Sequence, residues 1–255
     1  MYAAPDLSVV LLCYGAGERL TDVAEPLWEQ LEASEVPYEL VLVANYWPGE
    51  DDVTPDEAWL FATVHDNVEA VAEPKRGDMG WDFRTGLEVA RGDYLVVIDG
   101  DGQVPVRYAL EIYRRLLETG ADVAKGRRFI REDGSIRSLT SIGFNVLFRL
   151  LFRTRKIWDV NGRPKGFTRA AYERLDLRTD DWFTDAEILL KAQALGLEVV
   201  ELPVRFLQHP AQASTVGPGT VWEFLVNMAR WRLRRHPAQR PSATRTRSKT
   251  PTRTR

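Results

Sequence analysis

The stretch DYLVVIDGDGQVP, residues 93–105, decides the fold. Its apolar run YLVVI predicts a strand buried in the middle of a parallel sheet. The segment Asp99-Gly100-Asp101-Gly102-Gln103 follows directly and places two carboxylates and an amide at alternate positions. Hard cations such as Mg²⁺ or Mn²⁺ take oxygen ligands of this kind. A turn rich in Asp and Gly is the alternative, but ligands bind at the carboxyl ends of strands in such sheets, and this position favours a cation site.

Strands and helices alternate on both sides of this stretch. Strands are predicted at 8–14, 39–45, 67–72, 93–99, 121–126 and 197–204, and helices at 18–34, 55–63, 79–91, 105–119, 138–152, 184–195 and 219–235. Residues 159–168 are interrupted by Gly and Pro and are interpreted as irregular. The alternation predicts an α/β fold with a mainly parallel sheet flanked by helices.

Charge is distributed unevenly along the 255 residues. Residues 230–255 contain ten Lys or Arg and no acid, whereas the rest contains 24 basic and 37 acidic residues. A basic tail of this kind indicates an anionic partner, either nucleic acid or a membrane surface. The acidic body argues against a nucleic-acid partner, because it lacks a broad basic footprint.

Composition excludes several classes of protein. A hydrophobic content of 44% is too high for wholesale disorder. Cys13 is the single cysteine, which excludes an intrachain disulfide and a cysteine zinc site. No apolar run approaches the roughly 18–20 residues of a membrane span. We therefore expect a cytoplasmic protein, soluble or peripheral at the inner face of the membrane.

In order and spacing, the motifs resemble those of family 2 glycosyltransferases, and among these the dolichyl- or polyprenyl-phosphate mannosyltransferases. The resemblance covers roughly residues 7–230. Residues 93–105 are similar to the family's Asp-x-Asp-x-Gln metal motif, and 159–169 to its Asp-x-x-x-Gly-x-Lys-x-Phe-x-Arg stretch. The other matching segments are VVLLCYGAGERL (9–20), KGRRF (125–129), SIGFNVLFRLLF (141–152) and FTDAEILLKAQALGLEVVELPV (183–204). The resemblance implies the GT-A fold of enzymes that use nucleotide-diphosphate sugars.

The resemblance also implies a role for each matched position. Asp101 and Gln103 would bind Mg²⁺ or Mn²⁺, with Asp99 as a further ligand or a nucleotide contact. Such a dication stabilises the charge that develops on the departing diphosphate. Arg127 or Arg128 would hold phosphate, and Arg163 and Lys165, in a Gly-flanked loop, would meet donor or acceptor phosphate. The implied donor-binding residues are Leu12, Tyr14, Asn45, Asp99, Gly100, Asp101, Arg127, Lys165 and Ser214. The implied catalytic residues are Asp185, Glu187 and Arg128.

Two of these acids have a second interpretation. Thr184-Asp185-Ala186-Glu187 has the spacing of a helix capping box, which alone explains both carboxylates. In inverting relatives the acid at this position deprotonates an acceptor hydroxyl, but a lipid phosphate is already an anion and hardly needs a base.

The sequence departs from the family pattern at the first two strand ends. Leu12-Cys13-Tyr14-Gly15-Ala16 stands where the family has Pro-Ala-Tyr-Asn-Glu, and Asn45 replaces an aspartate that commonly reads the nucleotide base. The choice of donor base therefore stays open.

These features predict a metal-dependent inverting transferase that moves a hexose, mannose or glucose, to a polyprenyl or dolichyl phosphate. The alternatives are a family 2 transferase with a soluble acceptor and a nucleotide-sugar-binding protein that has lost catalysis. The predicted organisation is a GT-A domain over 1–218, an amphipathic membrane-surface helix over 219–236 and a disordered basic tail over 237–255. Helices that instead pack on the core, with a merely solubilising tail, are the alternative to membrane binding.

Overall fold

The computed structural model describes residues 4–131, 145–152, 154, 158–207 and 226–232. The described strands form one seven-stranded sheet in the order β3-β2-β1-β4-β6-β5-β7. The strands are β1 (Leu7–Leu12), β2 (Tyr38–Val43), β3 (Val68–Val71), β4 (Tyr94–Asp99), β5 (Val123–Arg131), β6 (Lys165–Thr168) and β7 (Val199–Phe206). The apolar run of residues 94–98 thus lies inside the sheet, as the sequence predicts.

Helices cover both faces of this sheet. The described helices are α1 (Leu20–Glu32), α2 (Thr54–Val64), α3 (Met79–Val89), α4 (Arg107–Thr119), α5 (145–152), α6 (Arg169–Leu175), α7 (Thr184–Leu195) and α8 (226–232). One apolar cluster includes residues of α1, α2 and α4, and a second includes residues of α3, α6 and α7. The predicted α/β architecture is confirmed.

The strand β6 runs against the other six. It pairs antiparallel with β4 on one side and with β5 on the other, whereas all the remaining pairs are parallel. The first residue of β6, Lys165, consequently pairs with Val97 near the carboxyl end of β4 and with Lys125 of β5. The sequence interpretation was wrong here: residues 165–168 are a buried strand rather than part of an irregular loop.

The helix α8 packs on the body of the protein. Its Met228 is buried in an apolar cluster with Phe148, Phe183 and Leu189. Its Asn227 donates a hydrogen bond of 2.7 Å to Asp181. The described part of the predicted membrane-surface helix is therefore attached to the core, while the rest of 219–255 lies outside the described residues.

Among the described residues, no helix has both the length and the apolar character needed to cross a bilayer.

Candidate active site

The carboxyl ends of β1 and β4 meet closely at the candidate site. The amide of Gly100 donates to the carbonyl oxygen of Leu12 at 2.8 Å. A Cβ atom at Gly100 would lie 2.7 Å from that same oxygen, so a larger residue would push the two strand ends apart. This contact fixes where the backbone leaves β4 and therefore where Asp99 and Asp101 project.

Asp99, the last residue of β4, and Asp101, just past it, form an acidic pair. Burial, and then the negative charge of Asp99, raise the pKa of Asp101 to about 6. The Asp101 carboxylate accepts a hydrogen bond of 2.9 Å from the amide of Gln103, which curls the segment back on itself. A proton on one of the two carboxylates, or a bound cation, would relieve the repulsion between them.

The side chains of Asp99, Asp101 and Gln103 fit a divalent cation that is coordinated partly by the protein and partly by a substrate. Within the described part of the chain, no cluster of three or more His, Cys, Asp or Glu side chains is arranged to hold a metal alone. Two carboxylates and an amide oxygen leave further positions for phosphate and water, which is how Mg²⁺ is usually held. Asp99, Asp101 and Gln103 therefore remain the predicted ligands.

Arg163 joins this acidic pair to a third carboxylate. Its guanidinium lies 3.5 Å from Asp99 and 3.3 Å from Asp185. Burial alone would lower the pKa of Arg163, but Asp185 and Asp99 raise it above its ordinary value. Since the side chain is only 5% exposed, this cation belongs to the interior of the site.

Asp185 is held by two cations. Besides Arg163, the Lys165 ammonium donates to its Oδ1 at 2.6 Å and also contacts the Val160 carbonyl at 3.2 Å. Burial acts to raise the pKa of Asp185, but Arg163 and Lys165 outweigh it and lower that pKa below its ordinary value. Lys165 is fully buried at the start of β6, so its predicted place in a loop was wrong.

A further set of ion pairs lies beside β5. Arg128 binds Asp159 through two side-chain hydrogen bonds of 2.8 and 2.7 Å, and its amide donates to the same carboxylate at 3.1 Å. The buried Lys125 contacts the carbonyls of Gly126 and Asp159 and lies 3.3 Å from Glu201. Arg128, predicted to hold phosphate, is thus already engaged with a carboxylate of its own chain.

Glu187 faces away from these acids. Its carboxylate accepts from the amides of Arg178 and Thr179 at 2.9–3.2 Å and pairs with Lys191 at 2.7 Å. The hydroxyl of Thr184 donates to backbone carbonyls instead of capping the helix, so the capping-box interpretation was wrong. Glu187 is bound to the loop before α7, and these contacts explain its burial without a catalytic role.

Asn45 lies at the end of β2 within a closed polar network. Its amide nitrogen donates to Asp82 and Thr85 at 3.0 and 2.8 Å, and its oxygen accepts from the Glu73 amide at 2.8 Å. The side chain is fully buried, and Asp82 also pairs with Lys75. Asn45 therefore serves to hold the strand ends together rather than to present its amide to a nucleotide base.

The remaining predicted residues are arranged around this edge. Tyr14 follows β1 and is 41% exposed, with the Lys75 ammonium 4.1 Å from its ring centroid. Arg127 is half-buried in the middle of β5. Ser214 lies outside the described residues.

Sequence reasoning assigned no role to Lys125, Asp159, Glu201, Lys75 or Asp82. For Lys125, the available signal of a buried ion pair was a lysine inside an otherwise apolar strand. The pairing of the others depends on strand order, which the sequence does not give.

Comparisons with known proteins agree with this geometry. The sequence model of the family described as glycosyl transferase family 2 matches residues 8–176. The chain is 31% identical over 208 residues to glycosyltransferase AglD of Haloferax volcanii, covering 79% of this chain and 33% of that protein. It is 25% identical over 214 residues to dolichyl-phosphate beta-glucosyltransferase ALG5A of Trichomonas vaginalis, covering 78% of this chain and 65% of that protein. The chain thus spans less than two thirds of either relative.

One solved structure supports the fold assignment. Glucosyl-3-phosphoglycerate synthase from Mycobacterium tuberculosis, in complex with Mn²⁺, UDP and phosphoglyceric acid, matches with a TM-score of 0.63 at 16% identity. The match covers 89% of this chain and 75% of that chain. The predicted GT-A fold is confirmed.

Proposed function

The chain belongs to glycosyl transferase family 2, and we propose that it transfers a hexose from a nucleotide-diphosphate sugar to a polyprenyl phosphate. The transfer would invert the configuration at the anomeric carbon. It is a glycosyltransferase; the acceptor, the metal dependence and the stereochemistry are the proposal. The acceptor phosphate oxygen would attack the anomeric carbon as the bond from that carbon to the diphosphate oxygen breaks. The bonding electrons would leave with the nucleoside diphosphate.

An exposed apolar surface beside the site carries the proposal for the acceptor. Phe129 is 71% exposed and directly follows Arg128, and Trp158 is 56% exposed and directly precedes Asp159. These two aromatic side chains thus flank the Arg128–Asp159 pair in sequence. Exposed apolar side chains near a polar site suit a ligand with a charged head and a hydrocarbon chain.

The helix α5 extends this surface. Its exposed apolar side chains are Val146, Leu147, Leu150 and Leu151. Asn145 ties the helix to the site loop by accepting a hydrogen bond of 2.9 Å from the Val160 amide. The Arg149 guanidinium lies 4.4 Å from the Trp158 ring centroid, which adds a cation suited to an anionic headgroup.

The state of Asp185 also supports an acceptor that is already an anion. A carboxylate held by Lys165 and Arg163, with a lowered pKa, is a poor proton acceptor. An acceptor hydroxyl would need a base, whereas a phosphate monoester would not. We propose that Asp185 orients the two cations instead of removing a proton.

A divalent cation bound by Asp99, Asp101 and Gln103 would supply positive charge to the leaving diphosphate. The structure of the similar synthase contains Mn²⁺ together with UDP, which supports a divalent cation bound with the donor. Arg127 and Lys165 are proposed to contribute further positive charge at this edge. Tyr14, Leu12 and Gly100 would border the nucleotide, with Ser214 near the donor.

The C-terminal segment is proposed to bring the enzyme to an anionic membrane. The basic residues of 230–255 would add electrostatic attraction of about 1 kcal/mol for each Lys or Arg near the surface. Because α8 is anchored to the core through Met228, the tail would start from a fixed point on the body.

Transfer of labelled sugar tests the proposal. The full chain is incubated with UDP- or GDP-hexose labelled in the sugar, Mn²⁺ or Mg²⁺, and a polyprenyl phosphate in detergent. We expect label in the organic phase as a product stable to alkali and labile to mild acid. The double variant Phe129→Ser/Leu150→Ser should raise the KM for polyprenyl phosphate and leave hydrolysis of the donor unchanged.

Other outcomes would identify the alternatives. Label that moves to an added saccharide or small phosphate ester, with none in the organic phase, would favour a soluble acceptor. Binding of donor with neither transfer nor hydrolysis would favour a protein that has lost catalysis.

A further inference from the structure

Arg163 is a buried cation that contacts three separate elements of the site. Its guanidinium reaches Asp99 at the end of β4 and Asp185 at the start of α7, at 3.5 and 3.3 Å. From α3, the Met79 sulfur accepts a hydrogen bond of 2.7 Å and the Phe83 ring centroid lies 5.0 Å away. A buried arginine is costly unless carboxylates compensate it, so this side chain is coupled to the acids that surround it.

The charges around Arg163 are nearly balanced without any metal. Asp99, Asp101 and Asp185 face the side chains of Arg163 and Lys165, and burial lowers the pKa of Lys165 to about 7. The neighbouring pairs, Lys125 with Glu201 and Arg128 with Asp159, are balanced among themselves. A free dication would therefore leave an excess of positive charge near a guanidinium that solvent screens poorly.

One nitrogen of Arg163 remains available to an anion. Nη1, which faces Asp99, is buried and has no hydrogen-bond partner among the described residues. Buried donors are normally satisfied, so this atom indicates a missing acceptor. A diphosphate would provide both that acceptor and the negative charge that a dication at Asp99 and Asp101 requires.

We infer that Arg163 is a positioning residue. Its charge holds Asp99 and Asp185 while no metal is bound, and it makes the divalent cation bind together with the donor diphosphate. The inference rests on the proposed metal-dependent donor site. It predicts that metal and nucleotide each strengthen the binding of the other, because thermodynamic coupling is reciprocal.

Binding of Mn²⁺, measured by electron paramagnetic resonance with and without UDP or GDP, tests the inference on the full chain. In the unmodified protein we expect at least one of the nucleotides to tighten Mn²⁺ binding by about tenfold or more. Arg163→Met should bind free Mn²⁺ about fivefold more tightly than the unmodified protein, and the effect of nucleotide should shrink. Arg163→Lys, which keeps the charge, should stay close to the unmodified protein. Arg84→Met, which removes a partly exposed arginine paired with Asp180, serves as the matched control.

A variant that is merely destabilised would not bind free Mn²⁺ more tightly, so this gain separates electrostatics from folding. An unchanged or weaker affinity of Arg163→Met for free Mn²⁺ would overturn the inference. If Arg163→Met does not fold, equal Mn²⁺ affinity of the unmodified protein with and without UDP or GDP would overturn it instead. Failure to bind Mn²⁺ even with either nucleotide would reject the proposed donor site as well.

Discussion

Among the described residues, four cationic side chains lie almost wholly inside the protein near the carboxyl edge of the sheet. Lys125 and Lys165 are fully buried, and Arg163 and Lys75 are nearly so. Each is placed against a carboxylate, because an unpaired charge at this depth would be strongly destabilising. Such pairs hold acids in fixed positions, which is what a site for a diphosphate and a cation needs.

Asp101, which follows β4, provides the most direct test of the metal site by a single residue. Asp101→Asn should reduce sugar transfer by about 100-fold or more, because one charged oxygen ligand for the cation is lost. Thermal unfolding should change little, since the pKa of Asp101 is raised and its charge costs folding free energy.

Asp93→Asn is the matched control for this substitution. Asp93 is exposed and precedes the same strand at its opposite end, and the variant should keep full transfer. Equal loss of transfer in both variants would argue against a metal role for Asp101.

Acid stability depends on Asp159. Burial would raise its pKa, but the Arg128 pair holds that pKa well below the ordinary range. A lowered folded-state pKa stabilises the protein above the unfolded value of about 3.9, and the contribution is lost as pH falls below it. Asp159→Asn should therefore lower the free energy of unfolding at pH 7 by about 3–5 kcal/mol.

Urea unfolding at pH 7 and at pH 3 measures this effect. The difference between the variant and the unmodified protein should be smaller at the lower pH. Glu173→Gln, which changes an exposed acid of α6, is the control. A difference that does not shrink with acid would contradict the assigned pKa direction.

Sequence reasoning located the acids of the site better than their partners. Asp99 and Asp101 were predicted at a strand end because an apolar run precedes them directly. The partners of Arg128 and Asn45 could not be predicted, because Asp159 lies 31 residues beyond Arg128 and Asp82 lies 37 beyond Asn45. Contacts of that range depend on which strands become neighbours.

At the scale of elements, α3 packs unusually close to the sheet at Gly86. A Cβ atom there would lie 2.5 Å from both Val10 and Val43. Gly86→Ala should destabilise the protein by about 1–3 kcal/mol, since overpacking outweighs the better helix propensity of alanine. Substitution of the exposed Glu88 by alanine, two residues later on the same helix, should change stability by less than about 0.5 kcal/mol.

Chemical denaturation of both variants measures these two changes. A Gly86→Ala variant as stable as the unmodified protein would show that α3 can move away from β1 and β2 at no cost.

The sequence predicted the longer elements and missed two shorter ones. Apolar runs and helical spacing were sufficient for β4 and α7, whose predicted and observed positions nearly coincide. The four residues of β6 contain a lysine and a glycine, which are weak strand formers, and burial between β4 and β5 overrides that preference. The seven-residue α6 follows β6 directly and was likewise not predicted.

For the whole molecule, α8 completes an apolar cluster formed by distant parts of the chain. Met228→Ala should lower the free energy of unfolding by about 2–4 kcal/mol, because it leaves a cavity beside Phe148 and Phe183. Arg232→Ala, on the exposed side of the same helix, should have little effect. Equal stability of the two variants, measured by thermal unfolding, would indicate that α8 contributes nothing to the fold.

Removal of the tail tests membrane attraction separately from stability. Deletion of 237–255 removes six Lys or Arg, and we expect binding to vesicles of anionic lipid to weaken by about tenfold or more. Thermal unfolding should be unchanged, since Met228 is retained. Sedimentation with anionic and with neutral vesicles measures the difference, and equal sedimentation of the two proteins with anionic vesicles would exclude a role for the tail.

The position of β6 between β4 and β5 in the sheet has a consequence for how the protein is made. The strand β5 pairs with β6 and β7, and both of these follow it in the chain. During synthesis β5 leaves the ribosome with no sheet neighbour until residues 165–168 emerge, which takes several seconds at typical elongation rates. Lys165, needed beside Asp185, arrives in that same segment. The half of the sheet built from β1 to β4 can therefore form early, whereas the acidic cluster gains its cations late, and nucleotide binding should report completion of the last third of the chain.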